Sequence, residues 1–566
     1  LANIEQMRAY SVPRPPIPVD LHLHGNEGPA PEPWLFEHLA ALGTGVLREY
    51  PSTAELEAVV AERLGVDSSK VFVSAGADET IDRICRAFLS SEHSLILPEP
   101  TFVMFRHYAG LAQANVVSIP WESGAYPTDA VIEAVDESTR VIAMVSPNNP
   151  TGAIAEESDL RRVAEAAPHA LLILDHAYVE FTDHNLTDVA LEYDNVVVLR
   201  TLSKAFGMAG IRVGFGISSP QVVEWLGRAG GPYSVPGPSI ELAAVRLRDD
   251  DERLARFAER VRGERRRLEA QLARHGLETT TSEGNFVFAR TDDSVWMRDA
   301  MAAMGILIRA FPGHELLDDA IRISCPGDAD DFERLEHALE TIFDPQAILF
   351  DLDGVLADVS ESYRRSIIET VEAFGGEVTR EQIAAMKAAG DANNDWILTR
   401  RLLAEQGIDV ELDAVTETFE RIYQGTEDEP GLRRTESLLV DPAWLDELSD
   451  RFTIGIVTGR PRKDAERFLR EKHIDQYIEA TVCMEDAPAK PDPEPVQLLL
   501  DGLGVERAWL VGDTPDDIVA ARGARVFPLG VIAPADDEST VAEAMTRAGA
   551  ARVFNSLAAQ LQELLP

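Results

Sequence analysis

The run "AILFDLDGVLAD" at 347–358 constrains this chain more than any other stretch. Four apolar residues lead into two aspartates, Asp351 and Asp353, which reads as a buried strand with both acids at its end. Carboxylates in such a place are costly unless positive charge sits beside them, and a Mg²⁺ ion with a phosphoryl group would account for them. Three later stretches complete a set. "IGIVTGRP" ends a strand at Thr458 and Gly459, "APAKPDPEP" brings Lys490, and "WLVGDTPDDIVAAR" ends a strand at Asp513 ahead of Asp516 and Asp517. An acidic loop on an acidic protein explains Asp516 or Asp358 well, but explains the ordered set poorly.

This opening lies past the middle of 566 residues, and what precedes it also reads as complete. Short apolar runs alternate with longer amphipathic stretches, so the expected class is α/β, with buried strands at 94–97, 141–145, 171–175, 196–200, 347–351, 454–458 and 509–513. "TAELEAVVAERLG" predicts a helix with Thr53 as N-cap and Gly65 as its stop. "DDFERLEHALETIF" (330–343) predicts another, which Pro345 ends. The expected domains are therefore 1–343 and 346–566, joined by a linker too short to give them much freedom.

In the first half, "TLSKAFGMAGIRVGF" (201–215) places Lys204 in a Ser/Thr-rich turn after a strand, with Arg212 eight residues on. Alone, such a lysine is usually a surface lysine. Upstream, "SAGADE" (74–79) sets small residues before a helix start, where free N–H groups can hold a phosphate. "SPNNPTG" (146–152) is a strand end and turn, and "LLILDHAYVEF" (171–181) ends a strand at Asp175, with Tyr178 three residues later.

In this order and spacing the four stretches resemble the fold-type I aminotransferases of classes I and II, most closely the histidinol-phosphate aminotransferase branch, over residues 10–343. The resemblance implies a large α/β domain over about 40–240 and a small α+β domain from 1–39 and 241–343. It implies pyridoxal 5'-phosphate as cofactor. Lys204 would form the Schiff base and then shuttle a proton. Asp175 would pair with the pyridinium nitrogen. Asn149 and Tyr178 would bond the phenolic oxygen, and Phe102 in "EPTFVMF" would stack on the ring. The N–H groups of Ala77 and Asp78, with Thr201, Ser203 and Arg212, would hold the phosphate. Tyr50 in "REYPST" resembles the tyrosine that reaches into a neighbouring subunit, which implies a homodimer.

Substrate contacts fall by the same resemblance to Asn26 and Glu27 in "LHLHGNEGP", Arg309 in "GILIRAFPG" and Arg322 in "AIRISCPG". A guanidinium fork suits either the carboxylate of glutamate or a substrate phosphate. The chain departs from the family at His176, where Glu is usual, at Phe102, where Tyr is common, and in "ISCPG" after Arg322. These departures spare the cofactor chemistry but leave the substrate open. A close relative with the same cage decarboxylates threonine phosphate.

The second set resembles the haloacid dehalogenase superfamily across 346–566, which implies a Rossmann-like domain with a helical cap over about 360–440. Asp351 would be the nucleophile and Asp353 the acid/base; an acid at that second position marks phosphatases and some phosphomutases, and is lacking in dehalogenases and phosphonatases. Thr458, Gly459 and Lys490 would hold the phosphoryl oxygens, and Asp351, Asp353 through its backbone carbonyl, Asp513 and Asp517 would hold Mg²⁺. In "GDANNDWILTRRL" (390–402), Asn393, Asn394 and Trp396 either touch substrate or serve as helix cap and cap core.

The expected whole is a bifunctional enzyme of histidine biosynthesis. Imidazole-acetol phosphate would be aminated with glutamate to L-histidinol phosphate, and that product hydrolysed to histidinol. The alternatives are an aminotransferase or phospho-amino-acid decarboxylase fused to a phosphatase of unrelated substrate, such as phosphoglycolate or a sugar phosphate, and a regulatory second half without catalysis.

Composition narrows the partners to small molecules. The net charge is −45, which opposes binding to nucleic acid or an anionic membrane. Lysine occurs only at 70, 204, 387, 463, 472 and 490, and an acidic, lysine-poor surface suits a salt-rich cytoplasm. No apolar run of about 18 residues predicts a membrane span. "LANIEQMRAY" shows no secretory pattern, and three cysteines without CxxC spacing fit a reducing cytoplasm.

Overall fold

The computed structural model describes residues 4, 5, 7, 17–249, 251–388, 394–534 and 536–565; Asn393 lies outside them. By contact the chain forms two compact units. The first holds Leu23–Val295 and Ile308–Glu333, and the second holds 17–22, Trp296–Leu307 and the chain from Arg334 on.

The first unit is built on a seven-stranded sheet: β1 (Val71–Ser74), β2 (Ser94–Glu99), β3 (Asn115–Pro120), β4 (Thr139–Val145), β5 (Leu171–Asp175), β6 (Val196–Thr201) and β7 (Gly214–Ile217). Their spatial order is β1-β7-β6-β5-β4-β2-β3. Only β7 runs antiparallel, between β1 and β6. The central strands are buried along their length, as sheets covered on both faces require. A four-stranded antiparallel sheet (Glu278–Thr280, Phe286–Arg290, Arg309–Ala310, Ala320–Ser324) completes the unit, with the helix Asp251–Arg274 packed on it.

The second unit holds a six-stranded parallel sheet: β8 (Ala347–Phe350), β9 (Thr453–Val457), β10 (Ala480–Val482), β11 (Ala508–Gly512), β12 (Phe527–Val531) and β13 (Arg552–Phe554), ordered β10-β9-β8-β11-β12-β13. Between β8 and β9 the described residues include the insertion's α-helices Tyr363–Ala373, Arg380–Ala388, Asp395–Glu405 and Leu412–Gln424, and the core helix Pro442–Ser449 that follows them. The insertion leaves and rejoins the core through an antiparallel ladder of Ala357–Asp358 with Ser437–Leu438.

Segments from before residue 344 belong to this second unit. Leu21–His22 pairs with Ile306–Leu307, and Trp296 meets Phe527 edge-on at 5.9 Å. Trp509 Nε1 donates to the Thr341 carbonyl at 2.7 Å. Residues 344–346 are themselves bonded: Gln346 Oε1 accepts from the Glu506 and Arg507 amides at 3.0 and 3.1 Å, and Arg507 pairs with Asp344 at 2.8 Å.

Every expected strand is present, but three of them stop one residue early. β8, β9 and β11 end before Asp351, Thr458 and Asp513. A residue inside a parallel ladder points to a sheet face; one step beyond, it can turn toward the sheet's edge. The predicted helix at 54–64 forms and stops at Gly65, whose φ of +65° is the left-handed conformation such a stop uses. Thr53 occupies the N-cap position without bonding the helix amides, because its hydroxyl donates to Glu57 at 2.9 Å. No described helix is long and apolar enough to cross a membrane.

Candidate active sites

In the first unit, the turns that follow β1, β2, β4, β5 and β6 open at the carboxyl ends of their strands, where open α/β sheets bind ligands. They line a cavity of about 610 Å³. It gathers Asn26, Glu27, Ala77, Asp78, Phe102, Asn149, Asp175, Tyr178, Thr201, Ser203, Lys204, Arg212, Arg309 and Arg322, which is every expected residue of this half except Tyr50. Tyr50 is 83% exposed and stacks on Tyr233, ring centres 4.7 Å apart, away from its own chain's cavity.

At the floor, Lys204 Nζ donates to the Gly25 carbonyl at 2.9 Å. Asp175 is buried, and its carboxylate accepts from the Ala177 amide at 3.0 Å. Burial pushes its pKa up to about 7, against the pull of that amide and of Lys204. Arg212, at φ +53°, bonds Asp78 at 2.9 Å and lies 3.4 Å from Ser203 Oγ, beside the start of the helix Ala77–Phe88. Gly76 precedes that helix at φ +79°, and a Cβ there would sit 2.5 Å from Arg212 Nη2. Helix amides, two hydroxyls and a guanidinium thus converge at one end of the cavity.

At the other wall, Asn26 Nδ2 donates to the Tyr178 hydroxyl at 3.0 Å. Arg322 donates to Asn149 Oδ1 at 2.5 Å and to the His24 carbonyl at 2.6 Å. His176 is buried beside Asp175 and held neutral, its pKa pushed down to about 3 by burial. Nδ1 meets the Ser146 carbonyl at 2.5 Å and Nε2 accepts from the Leu186 amide at 3.1 Å, which fixes one tautomer and ties the ends of β4 and β5. The cavity wall also includes His24, His107, Phe311 and His314, which sequence reasoning missed. His24 and Phe311 lie inside the stretches quoted for Asn26 and Arg309, whereas His107 and His314 lie just outside the quoted stretches.

The second unit's site sits where β8, β9 and β11 end side by side. Oxygens of Asp351, Asp513 and Asp517 lie within 4.8 Å of one another. Lys490 Nζ donates to Asp351 at 2.6 Å, to the Val457 carbonyl at 3.2 Å, and also to Asp517. Asp517's other oxygen accepts from Thr514 N at 3.0 Å and Oγ1 at 2.7 Å, so a capping box orients it. Burial and the neighbouring carboxylates push Asp351 up to about 7 and Asp513 well above the usual carboxylate range. Gly354, at φ +76°, permits the close approach, since a Cβ there would meet Asp513 Oδ2 at 2.1 Å.

Thr458 is buried next to this cluster, with Gly459 following it in the same loop. Asp353 turns its carboxylate away from the three acids toward Arg460. Arg460 directly follows the quoted Thr-Gly pair, so its place was readable although its role was not. Asp516 is buried outside the three-acid cluster. Asn394 caps the helix Asp395–Glu405, accepting from the Trp396 and Ile397 amides at 3.1 Å each. Trp396 is half-buried.

Both halves match known families. The model of "Aminotransferase class I and II" matches residues 26–342, and that of "Haloacid dehalogenase-like hydrolase" matches 348–531. The histidinol-phosphate aminotransferase of Cereibacter sphaeroides (strain KD131) is 33% identical over 329 residues, which covers 56% of this chain and 90% of that one. The imidazoleglycerol-phosphate dehydratase of Phytophthora nicotianae is 44% identical over 225 residues, or 38% of this chain and 49% of that one, so the chain spans about half of that relative. Among solved structures, the histidinol-phosphate aminotransferase of Sinorhizobium meliloti with pyridoxal-5'-phosphate shares the fold at TM-score 0.54 and 22% identity, covering 60% of this chain and 95% of that one. The chain belongs to the class I and II aminotransferases and carries a haloacid dehalogenase-like hydrolase domain behind them.

Proposed function

We propose that the chain catalyses two consecutive reactions: transamination of imidazole-acetol phosphate with glutamate to L-histidinol phosphate, and hydrolysis of that phosphomonoester to histidinol. What carries the reading is one cavity that collects the lysine, buried carboxylate and phosphate-type cradle of a pyridoxal phosphate enzyme, in a chain related to histidinol-phosphate aminotransferases over most of their length. The relative named for imidazoleglycerol phosphate supports the same imidazole-bearing substrate class.

The residues fit the cofactor. Asp175 is a buried carboxyl at about 7 with no cation bonded to it, which suits a pyridinium N–H. Ala77, Asp78, Thr201, Ser203 and Arg212 would hold its phosphate, Asn149 and Tyr178 its phenolic oxygen, and Phe102 one ring face. When bound, pyridoxal phosphate supplies the electron sink that makes a substrate Cα–H acidic. Lys204 then moves the proton off and onto the substrate carbon, as a primary amine on a flexible stem can. Arg322, with Arg309 on the same wall, grips the anionic end of keto-phosphate or glutamate in turn.

The residues also fit Mg²⁺. Three carboxylates sharing one ammonium leave about two negative charges for a dication. When bound, Mg²⁺ neutralises the phosphoryl oxygens and orients them. Asp351 forms a bond to phosphorus as the bond to the leaving oxygen breaks, and Asp353 gives that oxygen a proton. Water then attacks the phosphoaspartate, its proton passes to Asp353, and phosphate leaves with Asp351 restored. Lys490 and Thr458 hold the transferred oxygens.

We also propose a homodimer. Phe36, Leu47, Tyr50 and Tyr233 are all more than half exposed, an apolar surface that a second copy would cover and that would send Tyr50 into its cavity. The test is a coupled assay on the whole chain with imidazole-acetol phosphate, glutamate and Mg²⁺. Phosphate release should follow formation of L-histidinol phosphate. Amination without phosphate release assigns the second half another substrate, and a transaminating preparation that sediments as a monomer sinks the dimer.

A further inference from the structure

One fully buried charge in the second unit has no part in the chemistry above. Arg460 has 0% side-chain exposure. Its Nε donates to Asp353 Oδ1 at 2.7 Å, and Nη2 lies 2.5 Å from the same oxygen. Nη1 donates to Glu436 Oε2 at 3.1 Å. The rings of Tyr363 and Phe468 flank the guanidinium, their centres 5.0 and 5.1 Å from Cζ. Glu436 Oε1 accepts in turn from Ser362 Oγ at 3.0 Å and Tyr423 OH at 2.9 Å.

The position of these partners matters. Glu436 and Ser362 stand beside the two short strands, Ala357–Asp358 and Ser437–Leu438, through which the helical insertion leaves and rejoins the core. Tyr423 belongs to the insertion's last helix. Asp353 is four residues from the first hinge strand, and the Gly354 amide donates to the Ala357 carbonyl at 2.9 Å. A rigid fork held between two rings and two carboxylates has little freedom to swing.

We propose that Arg460 is a positioning residue that fastens the acid/base carboxylate to the hinge of the helical insertion. It occupies Oδ1, so the proton given to the leaving oxygen is carried on Oδ2, and the hinge sets where that oxygen points. The inference rests on the phosphatase reading of this site. A competing role is structural: the guanidinium would only neutralise buried Glu436. The two differ in what they do to the reaction. Loss of proton delivery slows poor leaving groups far more than good ones, whereas a loosened fold slows all alike.

The test measures kcat/KM, which runs through cleavage of the bond to the leaving oxygen, for alkyl phosphates and 4-nitrophenyl phosphate. Arg460→Met should lose about a hundredfold or more on the alkyl esters and less than about threefold on the aryl ester. Arg460→Lys should behave similarly, because one ammonium cannot span both carboxylates. Glu436→Gln added to Arg460→Met removes the second unpaired acid; it should raise the melting temperature without restoring the alkyl-ester rate. Equal losses across the esters, or wild-type rates in the double variant, would overturn the proposal. Wild-type phosphate release that Asp351→Asn leaves unchanged overturns the phosphatase reading and this inference with it.

Discussion

Asp175 in the first unit and Asp351 in the second are both buried strand-end aspartates pushed up to about 7, yet for different reasons. Asp175 is raised chiefly by burial and further by Asp78 across the cavity, with the Ala177 amide and Lys204 opposing. Asp351 is raised by burial and by Asp517 and Asp353, with Lys490 in contact and opposing them. A lone buried carboxylate asks for a single positive charge, which an organic ring nitrogen can bring. A cluster asks for two, which a dication brings in one atom. The same residue type, at the carboxyl end of a strand in one sheet and one step past it in the other, would thus suit two chemistries according to the acids packed around it.

The comparison breaks first if the two sites do not depend on different partners. Chelation of divalent metal should lower phosphate release about a thousandfold, since the metal is worth several kcal/mol at the phosphoryl oxygens. Transamination by the same sample should stay within about twofold, because Asp175 and Lys204 call on no metal. Lys204→Ala should give the mirror image. Phosphate release that persists in EDTA would mean that Lys490, with Lys387 and Arg364 acting on Asp513, compensates the three carboxylates without metal.

A smaller effect separates the acids by stability. The folded apoprotein keeps a proton on Asp175 up to about pH 7, while the unfolded chain loses it near the ordinary aspartate value of 3.8. Between those values the folded state binds more protons, so stability falls as pH rises through the window. Above pH 7 the buried carboxylate costs on the order of 4 kcal/mol, an upper figure. Asp175→Asn should therefore make the metal-free, cofactor-free first unit more stable at pH 8 and no different at pH 4. Matching urea midpoints for variant and wild type at pH 8 would show that the pocket already solvates the carboxylate.

The sequence carried the strands, the strand-end residues and their grouping into two sites, because apolar runs ending in a charged residue have few structural explanations. It could not carry which neighbours complete a wall. His107 and His314 enter the first cavity from segments that no spacing connects. Arg460 and Glu436 lie 24 residues apart and meet only through the return of the helical insertion. Nor could it tell where the contact boundary falls: 17–22 and Trp296–Leu307 join the second unit through pairings and carbonyl bonds that composition does not mark. His176 shows the converse. The departure from the expected Glu left the substrate open in the sequence, and its ring is spent on the Ser146 carbonyl and the Leu186 amide.

The smallest predicted effect concerns Asn394, where a site role and a fold role compete for one side chain. Its Oδ1 already accepts from two amides at the start of the helix Asp395–Glu405, so the oxygen has little left for a substrate. Asn394→Ala should cost about 1 kcal/mol in the stability of the second unit. Phosphate release should keep its kcat/KM, because an N-cap acts on the helix before any substrate binds. Asn394→Asp restores an acceptor at the helix's positive end and should recover the stability. A substrate contact through the amide would give the opposite pair of results: unchanged melting, and a lowered kcat/KM in both variants. That outcome would move part of the second site's specificity from the acid cluster, where the comparison with Asp175 puts it, into the helical insertion.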